Sequence, residues 1–155
     1  RVGAAILMLS QGTPFMQAGE EMLRTKNGDE NSYKSSDDVN NINWEALTPD
    51  SNEYKMMNYY KGLIELRKSS FVLTSQGQTS VSFNRLSSGG MTALFNSYKG
   101  ESVLALINPT SNADSHTLDG EWKLLSDGTQ AGADVIEKVS GTINIPAYTV
   151  IILSK

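Results

Sequence analysis

Residues 103–107, Val103-Leu104-Ala105-Leu106-Ile107, are apolar at every position, with Lys99-Gly100 before them and Asn108-Pro109 after. A short apolar run between turn signals predicts a strand buried on both faces, because a strand with one wet face would alternate. The surrounding segments do alternate. Val81 and Phe83 are interleaved with Ser80, Ser82 and Asn84, and Ala93-Leu94-Phe95 follows the turn Ser87-Ser88-Gly89-Gly90. Further on, Trp122 and Leu124 alternate with Glu121 and Lys123 ahead of Ser126-Asp127-Gly128, and Ile143 and Ile145 alternate with Thr142 and Asn144. Pro146-Ala147-Tyr148 leads into a final strand, Thr149-Val150-Ile151-Ile152-Leu153. Short strands at this spacing, separated by Gly, Asn, Pro and Ser turns, predict an antiparallel β-sandwich over residues 74–155.

Upstream of residue 74 the period is helical. Residues 1–10 read as the end of a buried helix, apolar on nearly every side and stopped by Ser10-Gln11-Gly12. Neither a capping residue nor an initiator methionine precedes it, so the chain is expected to begin in the middle of a larger protein. Residues 13–18 are short enough for a strand with proline near its start. Residues 25–43 are rich in Asn, Ser and Asp without apolar periodicity, a loop long enough to predict a function. A helix is expected over residues 49–68, with Thr48 as N-cap and Pro49 at its first position. Asp50 and Glu53 would favour its positive end, and Arg67 and Lys68 its negative end. Met56, Tyr60, Leu63, Ile64 and Arg67 would form its inner face, and Ser69-Ser70 its end. One strand between two helices cannot bury itself, and a (β/α)₈ barrel takes about 250 residues. The expected fold class is therefore α+β: the last βα unit of a (β/α)₈ barrel in residues 1–73, then the sandwich in residues 74–155.

Composition narrows the function. In 155 residues, 39% are hydrophobic and 19% charged, as in globular proteins, and the net charge of −4 with scattered basic residues excludes a nucleic-acid footprint. There is no cysteine, which excludes disulfides, thiolate metal sites and cysteine nucleophiles and fits a bacterial protein on either side of its membrane. The apolar run Ala4–Leu9 is far short of the roughly 20 residues that span a bilayer, so no membrane partner is expected.

The segment Gly12-Thr13-Pro14-Phe15-Met16-Gln17-Ala18-Gly19-Glu20-Glu21 resembles the last barrel strand of the α-amylase family, glycoside hydrolase family 13. Gly12, Pro14, Gly19 and Glu21 match its pattern, while Gln17 stands where tyrosine is common. Leu23-Arg24-Thr25-Lys26, Asn31-Ser32-Tyr33, Ser36-Asp37 and Asn40-Asn41-Ile42-Asn43-Trp44 follow in the order seen in type I pullulanases. The ending Ile145–Val150 is similar to the last strand of their C-terminal sandwich. The resemblance implies a parent enzyme that hydrolyses α-1,6 branch linkages in pullulan, starch and related dextrins. It also implies that residues 19–44 form the loop at the C-terminal face of the eighth strand and line the glucan cleft. The nucleophile aspartate, acid glutamate and second aspartate of such enzymes would lie upstream of Arg1.

The residues themselves offer no catalytic group. Retaining hydrolysis needs two carboxylates about 5–5.5 Å apart across the bond. Glu20 and Glu21 are adjacent and would point to opposite faces of a strand, while Asp29/Glu30 and Asp37/Asp38 lie in a loop. No catalytic residue is expected, and the chain alone is expected to be inactive. Hydrogen-bonding and aromatic side chains that hold sugars are present: Glu30, Asn31, Tyr33, Asp37 and Asn40 are the expected contacts with an α-glucan substrate. Glu21 is expected to brace the strand end and Trp44 to be a packing anchor. His116, the sole histidine, reads as a surface turn residue. The oxygen donors Asp29, Asn31, Asp37, Asp38 and Asn40 do not fit a calcium loop, because Tyr33 and Ile42 fall where ligands should be. Neither metal nor cofactor is expected. Tyr98 and Trp122 would suit a sugar-binding face, but an aromatic alternating along a strand belongs to the core.

Two further readings stand beside this one. The chain would also suit a non-catalytic sandwich module for carbohydrate or protein, with residues 1–70 as a helical arm. Within the enzyme class, an isoamylase-like or glycogen-debranching relative is the alternative. The helix faces of residues 1–70 are expected to self-associate or to dock on the sandwich.

Overall fold

The computed structural model describes residues 1–74, 79–97 and 99–155. Among them are four α-helices, α1 (Val2–Leu9), α2 (Asp37–Asn40), α3 (Asn52–Ser69) and α4 (Phe71–Thr74). The strands are β1 (Thr79–Arg85), β2 (Met91–Ser97), β3 (Ser102–Asn108), β4 (Asp114–Thr117), β5 (Trp122–Ser126), β6 (Glu137–Val139), β7 (Thr142–Ile145) and β8 (Thr149–Ser154). They fall into two compact units, one made of Arg1–Pro14 with Tyr59–Lys155 and the other of Phe15–Asn58.

The larger unit is organised by β3. A six-stranded antiparallel sheet runs in the order β1-β2-β3-β8-β5-β6, with β4 and β7 forming a separate two-stranded sheet. In the register between β3 and β8, Leu104 lies opposite Leu153, Ala105 opposite Ile152 and Leu106 opposite Ile151. Leu104, Leu106, Ile151 and Leu153 join Trp122, Leu124, Leu118 and Ile145 in one buried cluster. Each such side chain contributes about 1.5–3 kcal/mol by leaving water. The alternate residues Val103, Ala105, Val150 and Ile152 are buried as well. They belong to the other face, where α1 lies against β8 and α4 against β2. Apolar residues at every position of 103–107 thus have a direct cause: β3 is covered on both sides.

Helix α3 brings Tyr59, Tyr60, Leu63, Leu66 and Arg67 into this unit as buried residues. Gly62 sits on the same helix where a Cβ would stand 1.8 Å from the Ala131 carbonyl oxygen, so the helix and that loop touch backbone to backbone. Arg67 carries its charge inward. Its guanidinium donates to the carbonyl oxygens of Met8 (2.6 Å), Ser10 (2.8 Å) and Gly12 (2.6 Å).

Several expectations need correction. Residues 13–17 form no ladder with any described strand, so the predicted strand at 13–18 is absent; a strand exists only through its hydrogen-bonded neighbours. Helix α3 starts at Asn52 rather than Pro49, because Asp50 takes a left-handed conformation (φ +69°) that breaks helical continuity. Ser51 is the cap instead of Thr48, its Oγ accepting from the Tyr54 N–H at 3.1 Å. Of the expected antiparallel sandwich, the described residues show a six-stranded antiparallel sheet and a small two-stranded one. His116 is not in a turn: it is half-buried in β4, opposite Ile143 of β7. Trp44 is 65% exposed rather than a packing anchor, held in a single 3₁₀ turn (Trp44–Ala46) too short to present a packed face. Trp122 does belong to the core, as expected of an aromatic alternating along a strand: it is buried, with its indole N–H donating to Asp119 Oδ1 at 2.8 Å. Tyr98 lies outside the described residues.

Candidate functional site

The expected glucan-contact residues all lie in the smaller unit, on the segment that follows Gly19. That glycine is required twice over: its φ is +98°, and a Cβ would meet Arg24 Cδ at 2.5 Å. Its N–H donates to Glu21 Oε2 at 2.9 Å, and its carbonyl accepts from the N–H groups of Met22 and Arg24, both at 2.9 Å. Glu21 thus closes the turn that launches the loop.

From there the chain is cross-braced by cations and amides rather than by an apolar core. Arg24 Nη1 donates to the Ala18 carbonyl at 3.0 Å, and Nη2 donates to the carbonyl of Asn40. Lys26 Nζ donates to Ser32 Oγ at 2.8 Å and to Asn40 Oδ1 at 2.7 Å. Asn40 Nδ2 donates to the carbonyls of Ser32 (2.7 Å) and Ser35 (2.9 Å). Asp29 accepts from the Asn31 N–H at 3.0 Å and from the Ser35 hydroxyl. The Ser35 O–H, with the Asn31 N–H second, holds the Asp29 carboxyl below its ordinary range. Asn27 (φ +54°) and Gly28 (φ +82°) make the tight turn between Lys26 and Asp29.

This frame leaves Glu30, Asn31, Tyr33 and Asp37 exposed, with Asn40 half-buried among its partners. Tyr33 is 75% exposed, and Lys34 Nζ stands 5.2 Å from its ring centroid. A separate cleft of about 370 Å³ in the same unit is lined by Arg24, Thr25, Asp38, Asn41, Asn43 and Glu53 among others. None of the five expected contact residues lines it, although Asp38 and Asn41 are their immediate neighbours. Sequence reasoning passed over Arg24 and Lys26 as braces. The signal was weak: Arg24 and Lys26 stand ahead of an Asn- and Ser-rich loop, but Glu20, Glu21, Asp29 and Glu30 lie three or four positions from them and offered ordinary local ion pairs instead.

Two carboxylates of the segment are already engaged by hydrogen bonds. A general acid needs a raised pKa, and the Asp29 carboxyl is held low. The Glu21 carboxylate is engaged with the Gly19 amide. Among the described residues, no group of three or more His, Asp or Glu side chains is placed to hold a metal ion. No described helix is long and apolar enough to cross a membrane.

No protein-family model matches the sequence. Individual proteins do. Pullulanase from Bacillus subtilis is 44% identical over 68 residues, 44% of this chain and 9% of that protein. An isoamylase from a Flavobacterium species is 31% identical over 134 residues, 85% of this chain and 16% of that protein. The solved pullulanase from Bacillus acidopullulyticus superposes on 99% of this chain with a TM-score of 0.87 at 27% identity. The chain is related to the pullulanase and isoamylase debranching enzymes. It spans between 9% and 16% of these two curated relatives and 20% of that solved pullulanase. A pullulanase of B. subtilis solved in complex with maltose shares the fold, with a TM-score of 0.78 at 24% identity.

Proposed function

We propose that this chain is part of a pullulanase-type glycoside hydrolase that cleaves α-1,6-glucosidic branch linkages in pullulan, starch and related dextrins. Residues 1–73 close a (β/α)₈ catalytic barrel and residues 74–155 form the sandwich domain that stabilises it. The chain contributes a substrate-cleft loop, and the bond-breaking carboxylates come from elsewhere in the parent. What carries the reading is the likeness to a solved pullulanase over 99% of the chain with a TM-score of 0.87. The ordered run of motifs from Gly12 to Trp44 supports it. The parent's partner is an α-glucan, met through Glu30, Asn31, Tyr33 and Asp37 on the exposed rim, with Asn40 in the same site.

The test is release of reducing ends from pullulan and from branched dextrins by the intact parent. Hydrolysis of an unrelated glycan with both of these left uncut would overturn the proposal. The isoamylase reading is the second one, favoured by the 31% identity over 85% of the chain; branches removed from glycogen with pullulan untouched would select it. The binding-module reading is tested by titrating the 155-residue chain alone with maltooligosaccharides. Saturable binding by the isolated chain, with no hydrolysis by the parent, would favour that reading.

A further inference from the structure

The braced loop turns on one side-chain amide whose hydrogens are already spent. Both hydrogens of Asn40 Nδ2 go to carbonyls, at 2.7 Å (Ser32) and 2.9 Å (Ser35), and its Oδ1 accepts from Lys26 Nζ at 2.7 Å. Its backbone carbonyl accepts from Arg24. A primary amide has two N–H donors, so a sugar hydroxyl could accept from Asn40 only by displacing a bond that closes the loop. Lys26 is the other half of the closure, since the same ammonium also reaches Ser32 Oγ at 2.8 Å. Ser32 is therefore gripped at its carbonyl by Asn40 and at its hydroxyl by Lys26. The residues on either side of Ser32 are Asn31 and Tyr33, both exposed. Asp29 Oδ1 accepts from the Asn31 N–H at 3.0 Å.

Resting on the reading that this loop borders an α-glucan cleft, we propose that Asn40 is a positioning residue rather than a sugar contact. Together with Lys26 it fixes Ser32 and thereby presents Asn31 and Tyr33 to the substrate in one orientation. A contact residue on an unbraced loop would lose conformational freedom at each binding event. A loop already closed by Lys26 and Asn40 has given up that freedom on folding, which favours productive binding.

The experiment compares the intact parent with its Lys26→Met, Asn40→Ala and doubly substituted forms by deuterium uptake and by pullulan kinetics. Each single substitution is expected to speed uptake across residues 26–41 by about tenfold, while β3 and β8 keep their protection and report an intact fold. KM is expected to rise about fivefold with kcat within about twofold of the unsubstituted enzyme. Because one closure is being broken, the double form should be no worse than the more impaired single form. Unchanged uptake with a raised KM for Asn40→Ala would overturn the proposal in favour of direct contact. Faster uptake with unchanged KM would overturn it too, leaving a brace with no bearing on substrate. If the unsubstituted parent cuts neither pullulan nor glycogen, the glucan reading and the positioning role both fall. Uptake alone then decides whether the closure exists.

Discussion

Arg67 Nη1 donates to the Met8 carbonyl oxygen at 2.6 Å, joining the last turns of two helices 59 positions apart in sequence. The last four carbonyls of a helix have no partner within it. In α1, the Ser10 N–H takes those of Ile6 and Leu7, the Ser10 hydroxyl reinforces Ile6, and Arg67 takes Met8. The same guanidinium continues to Ser10 and Gly12, so it shapes the exit from the helix as well as its end. Cationic charge is favoured at a helix C-terminus. The sequence pointed to a cation near the end of α3 for that helix's own dipole. Arg67 serves α1 instead.

Arg67→Met keeps the length of the stem and removes every donor. Three carbonyls then lose a charged partner in a largely buried setting. The expected loss of stability is about 3 kcal/mol. Arg67→Lys should recover only part of it, because an ammonium cannot reproduce the planar fork. Urea denaturation of the three forms checks this, and equal midpoints would refute it.

Gly62→Ala would ordinarily stabilise an interior helical position by about 1 kcal/mol. Here the added methyl carbon would lie 1.8 Å from the Ala131 carbonyl oxygen, which is backbone and cannot swing aside. The expected outcome is a net destabilisation of about 2 kcal/mol or more, the overpacking cost outweighing the propensity gain. Thermal unfolding of the substituted chain measures it; a rise in Tm would contradict the close approach of α3 to that loop.

The sheet was legible where burial left a periodic trace. Residues 103–107 could be read because both faces are covered, and Thr149–Leu153 because it pairs beside them. Strand β4, Asp-Ser-His-Thr, carries no apolar trace; it is held by pairing with β7, which sequence periodicity does not encode. The start of α3 was misplaced because Thr48-Pro49 and Ser51-Asn52 are both good caps, and only the φ of +69° at Asp50 decides between them. The candidate site was legible as a loop and as a set of residue types. Its bracing was not, because Lys26, Ser32, Ser35 and Asn40 meet through distances that no fixed spacing announces.

The loop should also respond to acid. Asp29 is held below its ordinary range by Ser35 and Asn31. A carboxyl whose folded pKa is depressed binds its proton more weakly in the folded state. Its contribution is therefore complete above the unfolded value of about 3.9 and is lost as pH falls through the folded value. The Asn31 and Ser35 NMR resonances should thus be constant from neutral pH down to about 4 and move together below it. Asp29→Asn should abolish that common transition. A midpoint above the ordinary aspartate range would show the sign to be wrong.

Association is the last expectation that the exposed apolar residues raise. Within residues 1–70, helix α1 lies against β8, which is the docking alternative. In the larger unit Ile6 stays 43% exposed, and a groove of about 470 Å³ runs past Ile6, Phe83 and Met91; in the smaller unit Leu23 is 49% and Phe15 90% exposed. Apolar surface of this kind drives association unless something covers it. The isolated 155-residue chain is therefore expected to show a sedimentation coefficient that rises with concentration. Phe83→Ser and Ile6→Ser, both at the groove, should shift the curve toward monomer. Phe15→Ser tests the other unit separately. A chain that sediments as a monomer at all concentrations would refute the expectation, and a shift confined to Phe15→Ser would move the associating surface away from the groove.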